Sequence, residues 1–214
     1  MMVLYMTISN IRNFSRGTIM KLKEILKNAF IVICSLVLSI FLCYYVLDDI
    51  WLHFSIEAFS FIFLRVFVAI LLFSLLHLIF NGKLYYFMLD ILFTSYIVLV
   101  ISLSFFRISR SEHYINFNLN EIINYSLSQI IENFILYLPA GFYLSFRIKN
   151  KPKITIFIFL VWIIVVELLQ FLTKRGVFDI LDIIINLLGY LTGILIFNIP
   201  QIKNFLITKK DQLN

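Results

Sequence analysis

Charge is scarce in this 214-residue chain. Asp, Glu, Lys and Arg together make up 14% of it, against about 25% in ordinary globular domains. A water-soluble fold of this size needs a charged surface, so the scarcity excludes a soluble domain. Cysteine is scarcer still. Cys34 and Cys43 are the two present, and both fall in the first long apolar run. They support neither a disulfide framework nor a metal site. No His-Glu-x-x-His, Gly-x-Ser-x-Gly or phosphate-loop pattern occurs. Zinc hydrolysis, a nucleophile elbow and ATP turnover therefore have no motif to rest on. No cofactor and no metal is expected. Internal repeats and low-complexity segments are also missing.

Apolar side chains are what the chain has in excess. Hydrophobic residues reach 62%, with 24 Phe and 11 Tyr. That is too much for one small core and suits a protein whose outer surface meets lipid. The net charge of +6 sits in short clusters between long apolar runs. Such clustering reflects membrane topology, not nucleic-acid binding.

Six apolar runs follow one another: Ala29–Leu47, Ile56–Phe80, Leu84–Phe106, Asn133–Phe146, Ile154–Thr173 and Ile180–Ile199. A spanning helix needs about 20 apolar residues. Five runs meet this. The fourth is short and carries Pro139 and Gly141, so it spans only if its helix starts near Leu127. The first run is longer than the roughly 7–15 residues of a signal-peptide core, and no small-x-small cleavage site follows it. It is expected to remain as a span.

Basic residues concentrate in the Arg12–Lys27 stretch, at Lys83, in the Arg147–Lys153 loop and after Pro200. The alternate segments are mixed or acidic. With basic loops inside, both termini are cytoplasmic. The expected fold is thus all-α, a polytopic transmembrane bundle of about six spans. It divides into a cytoplasmic segment at 1–28, in which Met20 reads as a chain start and the residues before it as an over-long gene model or a cytoplasmic tail, two spans at 29–83, a core membrane domain at 84–199 and a tail at 200–214. The long Arg107–Glu132 loop is expected to lie on the outer surface as a short amphipathic helix. Arg107 and Arg110 flank the third span there, to anchor it or to attract an anionic headgroup.

The informative chemistry lies in the C-terminal half. Asp179, Asp182, Asn186, Gly189 and Gly193 fall at i, i+3, i+7, i+10 and i+14. At about 100° per residue they share one stripe roughly 80° wide. The Gly189-x-x-x-Gly193 spacing lets another helix approach closely, so the acids on that stripe point into protein. Glu167 and Gln170 share a face of the fifth span. A short connection makes the fifth and sixth spans antiparallel neighbours, which brings these four residues to similar depth. Asn133 enters at that depth too. Pro139 removes a backbone hydrogen bond, and Gly141 loosens the helix beside it. A broken fourth helix is expected, lining a cavity or buried in protein. Arg65, on the second span, is the natural counter-ion for one of the acids.

Two readings of these residues stand side by side. Asn133, Gln170 and Asn186 suit interhelical hydrogen bonding at roughly 0.6 kcal/mol each, and Asp179 suits a helix cap. Acids in a membrane span cost about 2.5–3.5 kcal/mol on insertion scales, so Glu167 and Asp182 point to a functional site.

Three motifs in order carry a resemblance. They are Asn133-Phe-Ile-Leu-Tyr-Leu-Pro139-Ala-Gly141, Glu167-Leu-Leu-Gln170 and Asp179-Ile-Leu-Asp182-Ile-Ile-Ile-Asn186-Leu-Leu-Gly189. Together they resemble the VanZ-like family, from about the third span to Gly193. The first two spans look like an addition to the family pattern. The family's long loop carries an Asn-x-x-Pro-Phe-like segment, whereas Ile115-Asn116-Phe117-Asn118 has no proline. The resemblance implies a bacterial cell-membrane protein linked to reduced teicoplanin susceptibility. The implied partners are the lipid bilayer and a lipid-linked or lipoglycopeptide ligand. A membrane enzyme acting on a lipid-linked envelope substrate, or a small transporter or assembly subunit, remains the alternative.

Overall fold

The computed structural model describes residues 2–48, 60–82, 85–106, 114–148 and 151–204, with the backbone alone for 2–18, 121, 122 and 124. Arg107 and Arg110 lie outside the described residues. Six long helices make up nearly all of it: α1 (Met2–Leu42), α2 (Ser60–Asn81), α3 (Tyr86–Phe105), α4 (Leu127–Arg147), α5 (Pro152–Leu172) and α6 (Ile180–Phe197). The last turn of α1 widens into a π-helix at Cys43–Leu47.

Local signals set the helix starts. Ser126 caps α4 in a reciprocal box: its hydroxyl accepts from the Gln129 amide (3.2 Å), and the Gln129 side chain accepts from the Ser126 amide (3.0 Å). This satisfies two of the helix's orphan donors. Pro152 opens α5 at a position where no amide is needed. Asp179 caps α6.

Five helices, counting α1 from Ile19 through its π turn, are long and apolar enough to cross a membrane. The exception is α4, which carries Glu132, Asn133 and Pro139. At 21 residues it is still about 31 Å long, and it lies alongside α6 for most of that length. Contacts run in step: Asn133 with Asp182, Gly189 against Phe134, Gly193 against Leu138 and Phe142, and Phe146 with Phe197. The two helices are therefore parallel and co-extensive. The polar face of α4 is spent on protein, not lipid, which is why its composition alone understates it.

This α4–α6 pair is the tightest packing in the fold. A Cβ added at Gly141, Gly189 or Gly193 would fall 1.9, 2.1 or 2.1 Å from a backbone carbonyl oxygen of the facing helix. Glycine is needed at all three because the two backbones touch. The expectation that Gly141 loosens α4 is corrected here: Gly141 is where α4 receives α6. The expected break at Pro139 is corrected as well. The helix runs continuously through Pro139, whose ring sits on the exposed side.

Around this pair, α3 packs antiparallel to α4 through Phe93 stacked on Tyr143 and Tyr86 on Phe146. Midway, the Tyr96 hydroxyl donates to the Leu136 carbonyl. Phe159 of α5 stacks flat on Tyr190 of α6 at 4.0 Å. Tyr96, Phe159 and Tyr190, with Val100, Ile163 and Val166, form the main core. A smaller core of Cys43, Leu64, Val68 and Leu99 joins α1, α2 and α3. Elsewhere large apolar side chains face outward, among them Phe41, Phe87, Phe157 and Leu195. A surface of that kind suits contact with lipid.

One helix runs from Met2 into the first span, so the segment at 1–28 is helical and continuous with that span. One further expectation changes. The long loop forms no amphipathic α-helix among the described residues. It provides a two-residue strand β1 (Ile115–Asn116) and a 3-10 turn at Leu119–Asn124. β1 pairs in parallel with β2 (Phe178–Asp179), which leads into α6.

Candidate functional site

The N-terminal ends of α4 and α6 meet beneath the long loop, and there the polar side chains gather. Asp179 is buried and accepts three hydrogen bonds from neutral donors. Its Oδ1 takes the Leu181 amide at 2.8 Å, which caps α6. Its Oδ2 takes the Asn116 amide at 3.0 Å and the Tyr125 hydroxyl at 2.7 Å. The β1–β2 pairing places Asn116 opposite Asp179, so backbone and side chain bind the loop to the helix at one point.

Asp182, one turn further on, is half-buried. Its Oδ1 accepts from Asn133 Nδ2 at 2.6 Å and from the Tyr125 hydroxyl at 3.2 Å. Tyr125 therefore bridges the two carboxylates. Its own burial, the charge of Asp182 and the hydrogen bond to Asp179 hold its proton far above the ordinary tyrosine range. The phenol remains a neutral donor at every physiological pH.

Glu167 and Gln170 are both buried on α5. Glu167 and Asp182 each lie eight residues from the Phe159–Tyr190 stack, about 12 Å along their helices. The two acids thus sit at similar height in the bundle. Gln170 donates to the Ser104 carbonyl of α3 at 3.1 Å, and Gly176 packs on its side chain. It ties the same end of the bundle together from the other side. Asn186 is buried one turn below Asp182, and Gly189 and Gly193 continue that face into the α4 contact.

The structure thus joins Asn133, Asp179 and Asp182 in one hydrogen-bonded cluster. Arg65 is elsewhere. Its guanidinium pairs with Asp48 at 2.7 Å, and its side chain is 52% exposed. It serves the α1–α2 end and does not reach the acids of α6. An exposed ion pair contributes at most about 1 kcal/mol. Arg65→Ala should therefore shift the unfolding midpoint in detergent only slightly. A large drop would show that the pair is structural.

Two members of the cluster were not legible as such. Tyr125 sits in a polar loop with no periodic context, and Asn116 belongs to a segment lacking the family's proline. The capping box at Ser126–Gln129 is the one local sign that places Tyr125 at a helix entrance. A second polar group lies at the opposite end of the bundle. There Asp90 accepts from the Tyr143 hydroxyl and from Arg147, at 2.9 Å from the guanidinium. Among the described residues, no group of three or more His, Cys, Asp or Glu is arranged to hold a metal ion.

Comparison with known proteins adds one finding. A family model described as VanZ/LLP1 matches residues 93–201, just over half of the chain. The matched region begins within α3 and ends just past α6, leaving α1 and α2 outside it. No curated protein and no solved structure matches.

Proposed function

Since the chain belongs to the VanZ/LLP1 family, we propose that this multi-pass membrane protein lowers susceptibility to teicoplanin-like lipoglycopeptides in a bacterial cell membrane. The observation that carries this reading is the pair Asp179 and Asp182, bridged by the Tyr125 hydroxyl at one end of the bundle. Such a site offers oriented acceptor oxygens where the helices emerge. Beside it, Ile131 and Ile135 of α4 face outward. A ligand with a polar head and a lipid tail could place its head on the cluster and its tail along that face. Basic residues at the far end, Lys27, Arg147, Lys151, Lys153 and Lys203, support an outward-facing cluster.

Asp182 is the residue to test, because it is less buried than Asp179 and has no capping duty. The measurement is growth inhibition by teicoplanin and by vancomycin, which lacks the lipid tail. Strains carry the wild type, Asp182→Asn or Glu167→Gln, with membrane levels matched. Protection is expected against teicoplanin alone and should fall sharply in Asp182→Asn. Wild-type protein that gives no protection would overturn the reading. Protection that survives both substitutions would remove the acids from it.

The paired carboxylates also favour a second reading, an enzyme acting on a lipid-linked envelope substrate. One carboxyl would serve as acid and another as base. An envelope lipid profile unchanged by gene deletion would count against this alternative.

A further inference from the structure

Below the cluster, the polar flank of α6 continues into the packed core. Asn186 lies one turn past Asp182 and Tyr190 one turn past Asn186, so side chains on this flank are neighbours. Asn186 is 2% exposed and Tyr190 is 0% exposed. Among the described residues, Asn186 Oδ1 has no hydrogen-bond partner, and Tyr190 Oη has none beyond an approach by the Thr155 hydroxyl. Across the interface, buried Thr155 of α5 lies near the Tyr190 hydroxyl. Its own hydroxyl, however, donates to the Pro152 carbonyl at 2.9 Å. The flat stack of Phe159 on Tyr190 fixes the ring and hence the place of its hydroxyl.

An oxygen buried without a partner costs about 1–3 kcal/mol. Native proteins rarely keep such groups dry; where the surroundings are polar, internal water satisfies them. The oxygens here are complementary to water. Asn186 Oδ1 only accepts, whereas the Tyr190 and Thr155 hydroxyls both donate and accept. We propose that internal water binds at Asn186 and Tyr190 and prolongs the Asp179–Asp182 cluster as a hydrogen-bonded file through the α5–α6 interface toward Thr155. Tyr190 is eight residues from Asp182, about 12 Å along the helix. The file carries hydrogen-bonding capacity from the bundle end to the middle of the span. This inference rests on the packing and is independent of what the cluster binds.

Hydroxyl-radical footprinting of the full chain in lipid nanodiscs tests it, because radicals formed from bound water modify the side chains beside them. Tyr137 is the internal control, buried in the same core. Tyr190 is expected to be modified several-fold faster than Tyr137. That excess should vanish in Asn186→Leu, which removes the water's acceptor. Tyr190 modified no faster than Tyr137 in the wild type overturns the proposal, whatever the variant does. An excess that persists in Asn186→Leu overturns the part assigned to Asn186. Thermal unfolding gives a second readout. In a dry core, Asn186→Leu removes an unsatisfied acceptor and raises stability; with water bound, that gain is absent.

Discussion

Gly193→Leu is expected to leave little folded protein in the membrane. The first added carbon would lie 2.1 Å from the Leu138 carbonyl oxygen and 2.7 Å from the Phe142 amide nitrogen. Both are backbone atoms of α4, so no rotamer change relieves the clash. The helices must separate, and separation also strips the contacts at Gly189 and Gly141. Overpacking typically costs about 1–3 kcal/mol, and a rigid backbone neighbour puts this case at or above the upper end. Lipid supplies no hydrophobic drive to compensate, since helix association there depends on close van der Waals contact. Yield of monodisperse protein and the unfolding midpoint in mild detergent measure the effect. Leu195→Ala, at a side chain 69% exposed, is the control expected to behave as wild type. A Gly193→Leu protein that melts with the control would mean that α4 and α6 do not meet here.

Asp179→Ala should be the most damaging change in the polar cluster. It removes the α6 cap, worth about 1 kcal/mol. It also takes away the acceptor for Asn116 and Tyr125, and hydrogen bonds to a charged group contribute about 1.5–3 kcal/mol each. Some of those donors will find water at the bundle end, so a net loss of about 3 kcal/mol is expected. The loop should detach at the same time. Hydrogen exchange at 114–118 is expected to quicken several-fold in Asp179→Ala. Asp179→Asn, which keeps the capping oxygen, should fall between. Unchanged exchange in the alanine variant would show that the β1–β2 pairing holds the loop without the side chain. Asp182→Asn should disturb the loop less, because Asp182 does not cap α6 and its bond from Tyr125 is the longer of the two, 3.2 against 2.7 Å. Loss of protection in that variant would then reflect the site and not its scaffold.

The contrast between these two aspartates shows how far local pattern reaches. Their spacing put both on one face of α6, and the capping position of Asp179 was readable from its place at the helix start. The partners that distinguish them were not. Tyr125 and Asn116 are separated from Asp179 by 54 and 63 residues. Each is an ordinary polar loop residue by composition, and only the folded chain brings them to α6. Arg65 fails for the mirror-image reason. Depth and charge made it a plausible partner for the acids, yet Asp48 lies 17 residues away along the chain and claims it first.

Pro139 and Gly141 are instructive in the same way. Each weakens a helix by intrinsic preference, and together they suggested a break. In the folded protein the missing side chain of Gly141 is what allows the Tyr190 backbone to approach, and α4 runs unbroken through that contact. The packing gain outweighs the local penalty, and a propensity argument has no access to it.

By itself, the sequence determined the membrane environment, the helical class and the stripe of acids and glycines on α6. These follow from the composition of each segment and from the 3.6-residue period, properties a helix has before it meets any neighbour. Only the tertiary structure decided that α4 is the partner of that stripe, that Tyr125 bridges the carboxylates and that Arg65 stands apart. Those outcomes depend on which surfaces of different helices fit at backbone distance, and that fit is a property of pairs, not of any one segment.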